Sequence, residues 1–331
     1  MKNKYKITLL MAVLIFAVFI AGCSDGQEDQ ASRENEKPVL TIAYLPITHS
    51  LPLAVAYEQT GGEFENFELE IVRFSSWPEL TEALNAGHVD GAITMFEIAM
   101  AGAERGIPAE TQLLTHRNGD VFVVEENIQS VEEVKGKTIA TPHRLSGHTI
   151  YLYLTLQQND IDLEEIEIIE MPPPEMPAAL SRGQISGYVV AEPFGAQSVA
   201  AESGKVLLRA QDVWPDWICC GLVMNPSISE KYPEANEELV KALVDAGHFI
   251  ENNQEEAITI AGEVMEIEEE LWELSLEWIS YDNLEPTQKE FEKLQELLIE
   301  LPWEGESHSL LSEEIDLDKF LNLKCAEKAT R

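Results

Sequence analysis

Apolar positions follow strand-like and helix-like spacing in turn along the chain after residue 38. Apolar runs such as Val39–Tyr44 predict buried strands, and the alternation of apolar and acidic residues at 67–74 predicts another strand. Stretches with helical spacing follow Ser50, Ser76 and Ser146, and serine is a favoured residue at a helix N-terminus. This alternation of strands and helices predicts an α/β fold.

Two segments repeat each other at an offset of 96 residues. Residues 78–91 and 174–187 share the pattern P-E-x-x-x-A-L-x-x-G-x-(V/I)-x-G, and 41–43 matches 138–140 at an offset of 97. This period is far longer than a solenoid unit, so it indicates two similar lobes facing each other across a cleft. Chance resemblance between two ordinary helix–turn–strand units is the alternative.

The predicted elements divide the chain after residue 38 into two lobes, each a small mixed sheet flanked by helices. Lobe 1 is predicted to comprise residues 39–125 and 214–331, and lobe 2 residues 126–213. Residues 227–301 have acidic helical patterns with apolar residues three and four apart, as at Phe291 and Leu294. We expect these helices to pack mostly on lobe 1.

The N-terminus has the organisation of an export signal. Lysines at positions 2, 4 and 6 precede an apolar run at 7–21, which is short for a permanent membrane span. Residues 20–23, Ile-Ala-Gly-Cys, resemble the lipobox of bacterial lipoproteins, in which the cysteine is lipidated. Residues 1–22 are therefore predicted to be a signal peptide, Cys23 the lipid anchor and 23–38 a polar tether. An uncleaved anchor is the alternative, and both place the remainder outside the cytoplasm.

Charge and cysteine content exclude some partners and scaffolds. The chain has 60 acidic and 22 basic residues, a net charge of −38, which repels nucleic acid and anionic lipid headgroups. Besides Cys23 there are only Cys219, Cys220 and Cys325, too few for a disulfide framework. A disulfide between the adjacent Cys219 and Cys220 is one possibility, because the predicted compartment permits oxidation.

The lipobox, the opening Thr41–Pro46 segment, residues 83–90, residues 131–139 and residues 179–187 together resemble a known family. It comprises the substrate-binding lipoproteins of ABC importers for nitrate, sulfonates, taurine, bicarbonate and thiamine pyrimidine precursors. The resemblance spans roughly residues 39–300. It implies a type II periplasmic-binding-protein fold, capture of a small solute by lobe closure, and a membrane permease with its ATPase as partners. Ser186 departs from the family pattern, which usually has an acidic residue there.

The ligand of an open α/β sheet lies beyond the carboxyl ends of its strands, and four predicted loops meet that condition. They are residues 46–50, 94–97, 141–149 and 191–194. The candidate ligand-binding residues are Pro46, Thr48, His49, Trp77, Met95, Phe96, Glu97, Arg117, Thr141, His143, Arg144, Ser146, Gly147, His148, Glu192 and Trp217.

The solute class divides these candidates. For an anion, Arg117 and Arg144 are the best charge partners, with threonine and serine hydroxyls as donors. For a neutral heteroaromatic solute, such as a thiamine pyrimidine or riboflavin, the preferred binding residues are Trp77, Phe96, Glu97 and Glu192. The expected function is an extracytoplasmic, lipid-anchored, monomeric binding protein for a small polar or anionic solute of the nitrate, sulfonate, taurine or bicarbonate class.

Metal and enzyme functions are weaker alternatives. His49, His116, His143, His148 and the Cys219–Cys220 pair lie in or near predicted cleft segments, but their spacing matches no metal motif, so no metal or cofactor is expected. The chain contains no G-x-S-x-G, Walker A or H-E-x-x-H motif. Glu97 and Glu192 occupy neighbouring loop positions in the two lobes, which leaves a lipoprotein hydrolase or a pyrimidine-synthesis-like enzyme as the runner-up.

Overall fold

The computed structural model describes residues 37–215, 217–300 and 310–330. The predicted signal peptide, Cys23 and all but the last two residues of the predicted tether lie outside these ranges. Within them, no helix combines the length and the apolar character needed to cross a bilayer. The remainder of this subsection concerns Val39 onward, which forms one unit.

Within the described ranges, twelve strands form two five-stranded sheets and one two-stranded ribbon. The strands are β1 (Val39–Tyr44), β2 (Glu68–Arg73), β3 (Gly91–Met95), β4 (Glu110–Leu114), β5 (Arg117–Asn118), β6 (Asp120–Val124), β7 (Thr138–Thr141), β8 (Glu167–Glu170), β9 (Gly187–Ala191), β10 (Lys205–Arg209), β11 (Cys220–Met224) and β12 (Ile279–Ser280).

Fourteen α-helices are described. They are α1 (Leu51–Thr60), α2 (Trp77–Asn85), α3 (Phe96–Glu104), α4 (Gly147–Gln158), α5 (Met176–Ser181), α6 (Phe194–Ala200), α7 (Ala210–Val213), α8 (Pro226–Lys231), α9 (Pro233–Asn252), α10 (Gln254–Met265), α11 (Glu269–Ser275), α12 (Gln288–Glu300), α13 (Leu317–Phe320) and α14 (Lys324–Ala329). Short 3₁₀ turns lie at Thr48–Ser50, Val131–Val134, Leu163–Glu165, Pro173–Glu175 and Leu276–Trp278.

The two large sheets have the same internal order, as the sequence repeat predicts. Lobe 1 has the order β2-β1-β3-β11-β4, and lobe 2, read from β8, has the order β8-β7-β9-β6-β10. The central pairs are parallel and in equivalent register: Ile42 of β1 lies opposite Gly91, and Ile139 of β7 lies opposite Gly187. In each lobe the next strand, β11 or β6, is antiparallel to its neighbour.

The glycines of the repeated motif have a physical explanation. Gly87 and Gly183 end the preceding helices in the left-handed conformation, with φ of 69° and 66°. Gly187 begins β9 with its missing side chain directed at the adjacent antiparallel strand, since a Cβ there would lie 2.7 Å from the Val123 carbonyl oxygen. Both motif positions are therefore restricted to glycine, one by conformation and the other by close packing.

The chain changes sheets earlier than the sequence pattern indicated. Residues 120–124 were expected in lobe 1, but they form β6 and pair with β9 and β10 in the lobe 2 sheet. The first crossing segment is therefore 115–119, and the predicted boundary after residue 125 lies beyond it. The apolar run at 121–124 is compatible with a buried strand in either sheet, so periodicity could not locate the boundary.

Two helices illustrate how local sequence sets the elements around the cleft. Helix α4 begins at Gly147 as predicted, and the Ser146 hydroxyl accepts a hydrogen bond from the Thr149 backbone N–H. Helix α12 buries Phe291, Leu294 and Leu298 along one face, which confirms its predicted amphipathic pattern. The acidic C-terminal helices do not all pack on lobe 1, because α11 contacts α6 of lobe 2.

Candidate functional site

The four predicted loops meet in pairs between the lobes. The Thr48 backbone N–H and hydroxyl donate to the carbonyl oxygen of Glu192, at 2.9 and 3.1 Å. The hydroxyl of Tyr281 donates to the carbonyl oxygen of Thr48 at 2.9 Å. This bond connects the C-terminal segment to the same loop. The loop after β1 in lobe 1 is thereby joined directly to the loop after β9 in lobe 2.

The other loop pair joins Glu97 of lobe 1 to Gly147 at the start of α4. A Cβ built on Gly147 would lie 2.5 Å from Glu97 Oε1 and 2.8 Å from the Trp217 ring, so the three groups touch only because this residue is glycine. Burial raises the pKa of Glu97 to about 8, against a smaller lowering effect of nearby backbone N–H groups, including that of Gly147. The Glu97 carboxyl is therefore largely protonated at neutral pH.

Asp120 lies at the centre of the contact between the lobes. Its Oδ2 accepts a hydrogen bond from Trp217 Nε1 at 2.7 Å, and its Oδ1 lies 2.8 Å from His148 Nε2 and 3.5 Å from His49 Nε2. All four side chains are buried. Burial alone would raise the pKa of Asp120, but His148 and His49 reverse this effect and hold the pKa below its ordinary value. Asp120 is therefore a buried carboxylate with polar neighbours from both lobes and from the second crossing segment, which connects β10 to β11.

A second polar group, of two histidines and two cysteines, adjoins Asp120. The His49 and His116 rings stack with centroids 3.5 Å apart, and His49 Nδ1 lies 3.4 Å from Cys220 Sγ. Cys219 Sγ also lies 3.4 Å from Cys220 Sγ, so the two thiols are close but not bonded. Burial lowers the pKa of His49 to about 4, lowers that of His116 and raises the pKa of both thiols.

Glu192 has its own partners, one in lobe 2 and one in the C-terminal segment. Its carboxylate accepts a hydrogen bond from the Ala196 backbone N–H at 2.8 Å and one from Trp278 Nε1 at 3.2 Å. Burial raises the pKa of Glu192 to about 7. Glu192 accepts a hydrogen bond from the first turn of α6, while Glu97 contacts the start of α4. Their carboxyl groups therefore have separate partners, and these contacts do not form the carboxylate pair that an enzymatic function was expected to use.

The hydroxyl donors predicted near the start of α4 are engaged with one another. The Thr149 hydroxyl donates to the Thr141 hydroxyl and lies near the carbonyl oxygen of His143, both at 3.1 Å, while Ser146 caps the helix. His143 is only partly buried, and its Nδ1 accepts a hydrogen bond from the Leu145 backbone N–H at 3.0 Å. This network shapes the loop that presents Gly147 and His148 to lobe 1.

The apolar candidates are all buried. Met95 ends β3 opposite Cys220, and Phe96 packs edge-on against Phe291 with ring centroids 4.9 Å apart. Pro46 and Trp77 are also buried, and Trp77 Nε1 has no hydrogen-bond partner. Trp217 is positioned edge-on to Trp214, with centroids 5.2 Å apart, and contributes its indole nitrogen to Asp120.

Neither predicted arginine enters the buried polar group. Arg117 pairs with Glu290 at 2.6 Å and donates to the backbone carbonyl oxygens of Asn283 and Glu285, at 2.8 and 3.2 Å. Arg144 is exposed and lines a groove of about 480 Å³ between lobe 1 helices and the 143–145 loop. Among the described residues, the buried polar and charged side chains include histidines and acids but no lysine or arginine. In the part of the chain that the structure describes, the two arginines thus stand outside the buried polar group.

Asp120 is the main residue that the sequence interpretation missed. It directly follows Asn118-Gly119 and precedes the apolar run at 121–124. A single acidic residue at the start of a predicted buried strand is the sequence feature that could have identified it. Its counterpart in lobe 1 is Cys220, because each begins the antiparallel strand opposite the last residue of β9 or β3. That equivalence depends on strand pairing and cannot be read from the 96-residue repeat.

Comparison with known proteins agrees with this architecture. A family model described as the NMT1-like family matches residues 33–264. A crystal structure of the ligand-binding component of an ABC-type import system from Staphylococcus aureus, with zinc bound, has a TM-score of 0.80 and 29% identity. It covers 89% of this chain and 100% of the other chain.

Curated relatives are transport proteins. The taurine-binding periplasmic protein of Escherichia coli strain K12 is 28% identical over 212 residues, which are 62% of this chain and 65% of that protein. The nitrate import ATP-binding protein NrtC of Synechocystis is 27% identical over 242 residues, which are 66% of this chain and 36% of that protein. This chain thus spans about a third of the length of the first curated relatives that it matches. These matches confirm the family resemblance and the two-lobed fold.

Proposed function

The chain belongs to the NMT1-like family, and we propose that it is the solute-binding component of an ABC importer. The observation that carries this proposal is the junction of four loops from two equivalent lobes, where the contacts between lobes include Thr48 with Glu192 and Glu97 with Gly147. An open α/β sheet binds its ligand beyond the carboxyl ends of its strands, and these four loops lie there. A solute captured there would be enclosed when the lobes close.

The solute proposed is small and polar, and it donates hydrogen bonds or carries positive charge. Asp120 supplies a buried carboxylate and Glu97 a buried carboxyl group, while the anion partners expected from the sequence lie outside the buried group. A desolvated carboxylate repels an anion and attracts an ammonium or a ring N–H. Taurine, which carries an ammonium group, and a thiamine pyrimidine fit this condition better than nitrate, bicarbonate or an alkanesulfonate.

The cellular setting is part of the same proposal. The N-terminal residues support export and lipid attachment through Cys23, so the protein would stand at the extracytoplasmic face of the cell membrane as a monomer. Its partners would be a permease and an ATPase, and it would release the solute unchanged. Replacing Cys23 with alanine should shift the protein from the detergent phase to the aqueous phase in detergent partitioning, whereas Cys325→Ala should leave it in the detergent phase.

A thermal-shift screen tests the solute class directly. The full chain, purified in mild detergent with a chelator, would be mixed with taurine, a thiamine pyrimidine, riboflavin, nitrate, bicarbonate and an alkanesulfonate. A ligand at about 100 times its Kd adds roughly 2.7 kcal/mol, which should raise the midpoint by several degrees. A shift with taurine or the pyrimidine supports the proposal, and a shift with nitrate alone overturns the assigned solute class.

A matched pair of variants connects the solute to the interlobe site. Glu97→Gln should weaken binding of the solute identified in the screen, while Glu126→Gln, on an exposed turn, should leave it unchanged. Recovery of chemically unchanged solute after incubation supports binding without turnover. No shift with any compound after unfolding and refolding in chelator would overturn the binding proposal, and conversion of the solute would favour an enzyme.

A further inference from the structure

We infer that His49, His116, Cys219 and Cys220 form a four-coordinate site for one thiophilic transition metal ion. One donor atom from each residue lies within 4.8 Å of every other. The site adjoins the proposed solute position but uses different residues from Glu97 and Gly147. It does not depend on the identity of the solute.

Two of the donor separations are close to those around a tetrahedral ion, and the whole set would have to contract around the ion from within 4.8 Å. Zinc bonds of about 2.3 Å to sulfur and about 2.0 Å to nitrogen place tetrahedral ligands roughly 3.3 to 3.8 Å apart. Both the Cys219 Sγ–Cys220 Sγ distance and the His49 Nδ1–Cys220 Sγ distance are 3.4 Å. A sulfur–sulfur bond is about 2.05 Å, so the two thiols are free to act as separate ligands.

Each imidazole has one ring nitrogen next to the cysteines. His116 Nε2 accepts the Cys220 backbone N–H at 3.3 Å, a hydrogen bond that a bound ion would replace. His116 Nδ1 lies 2.7 Å from the carbonyl oxygen of Asn118, which can only accept, so the proton is on Nδ1 and the lone pair is on Nε2. His49 Nε2 faces the carboxylate of Asp120 at 3.5 Å, while its Nδ1 faces Cys220 Sγ. A carbonyl or carboxylate partner on the far nitrogen is the usual outer arrangement of a metal-bound histidine.

The four residues come from three segments of the chain. His49 follows β1, and His116 lies in the first crossing segment. Cys219 ends the second crossing segment, and Cys220 begins β11. All four are at most 1% exposed, and together they supply a complete set of four protein ligands. A closed, buried four-ligand site is characteristic of a structural metal, so an ion here would fix both crossing segments to lobe 1.

A second combination, of Asp120, His148 and Cys219, shares one cysteine with this site. Asp120 already accepts a hydrogen bond from Trp217 and contacts two histidines, so we assign Asp120 and His148 to the outer layer. The two sets differ in the number of thiolates bound to the ion. The four-residue site has two, and the alternative has one.

Cobalt titration tests the inference without any substitution. The full chain, purified in detergent under reducing conditions and freed of metal by chelation, would be titrated with Co²⁺ and then with Zn²⁺. We expect thiolate-to-cobalt charge-transfer absorption that saturates at one ion per chain, with an intensity corresponding to two thiolates, and its loss when Zn²⁺ displaces Co²⁺. Absence of this band in protein whose thiols are shown to be reduced would overturn the inference.

Substitutions identify the ligands. Cys219→Ser and Cys220→Ser should each remove about half of the band, and His49→Gln and His116→Gln should each weaken Co²⁺ binding at least 10-fold. Cys325→Ser and His88→Gln are matched controls outside the site. They should show the same cobalt band and the same Co²⁺ affinity as the unsubstituted chain. An unchanged band in Cys220→Ser, or loss of binding with His148→Gln and retention with His116→Gln, would reject the four-residue site. The cobalt band is read without solute, and the solute screen is repeated after Zn²⁺ is restored, so failure of the screen in both conditions and failure of the metal site are separate results.

Discussion

The Trp217 indole nitrogen donates a 2.7 Å hydrogen bond to Asp120, which lies 97 positions earlier in the chain. Trp217 belongs to the second crossing segment, and Asp120 is the first residue of the strand that follows the first crossing segment. The bond therefore connects the two segments that join the lobes. It also places a buried carboxylate beside His148 of lobe 2 and His49 of lobe 1.

Replacing Asp120 with asparagine should strongly destabilise the protein. The substitution removes the negative charge that the two histidines stabilise. It also turns an amide N–H2 group toward a donor from which Asp120 now accepts a hydrogen bond. Removing one partner of a buried charged group typically costs about 3 to 5 kcal/mol. Urea unfolding followed by circular dichroism would measure this loss. Asp245→Asn breaks an exposed pair with Lys241 and should cost less than about 1 kcal/mol; equal losses in the two variants would contradict the central role of Asp120.

Stability should decrease as pH rises above 6.5. The buried carboxyls of Glu97 and Glu192 have pKa values of about 8 and about 7, above the ordinary 4.5. Each carboxyl contributes its full stabilisation below its ordinary pKa, and this stabilisation is lost as pH rises through the pKa of the folded state. Each carboxyl contributes a slope of at most about 1.4 kcal/mol per pH unit.

The histidines have the opposite effect at lower pH. His49 has a pKa lowered to about 4, so the unfolded chain binds its proton more readily and stability rises between pH 4 and 6.5. The carboxyls and histidines therefore oppose each other in that window. Above it the carboxyls lower stability, and near pH 9 the buried thiols of Cys219 and Cys220, whose pKa is also raised, add to the decline. Urea unfolding between pH 6.5 and 8.5 would test this. Glu97→Gln should flatten the decline and Glu126→Gln should not; a decline of the same steepness in Glu97→Gln would disprove the assignment.

Alanine at position 147 should separate the lobes at the Glu97 contact. Its Cβ would meet Glu97 Oε1 at 2.5 Å and the Trp217 ring at 2.8 Å, so the carboxyl group and the ring must move. Overpacking of this kind costs about 1 to 3 kcal/mol. Small-angle X-ray scattering should show a larger radius of gyration for Gly147→Ala, together with a lower melting midpoint.

Helix α3 supplies the control for this substitution. At Gly102 the nearest atom to an added Cβ, on Ile107, is 3.8 Å away, and alanine is favoured over glycine inside a helix by up to about 1 kcal/mol. Gly102→Ala should therefore keep the radius of gyration and the stability of the unsubstituted chain or improve the stability slightly. If Gly147→Ala scatters like Gly102→Ala, the contact does not limit closure.

Arg117→Ala should reduce stability without affecting solute binding. Its guanidinium pairs with Glu290 and binds two backbone carbonyl oxygens, and both side chains of the pair are less than 20% exposed. Loss of these charge-assisted bonds should cost about 1 to 3 kcal/mol. Chemical unfolding would measure the cost, and Arg117→Lys should recover only part of it because lysine cannot reproduce the forked contacts. A large loss of solute affinity at unchanged stability would instead return Arg117 to the ligand site.

Local features of the site could be predicted because they depend on neighbouring residues. The start of α4 follows from Ser146, whose hydroxyl satisfies a backbone N–H of the first turn. The four cleft loops were located because each follows a recognisable strand. The partners of Arg117 could not be predicted, since Glu290 is 173 positions away and belongs to one of many acidic helices.

The sequence by itself determined the two-lobed plan, because the repeated glycines are required locally, one by a left-handed helix end and one by close packing of a strand. It also determined which loops face the cleft. Only the tertiary structure decided that Asp120 begins a lobe 2 strand and that His49, His116, Cys219 and Cys220 converge. Their sequence separations match no metal motif because the fold brings them together from three segments. The physical reason is that strand pairing, which periodicity does not specify, sets which crossing strand enters which sheet.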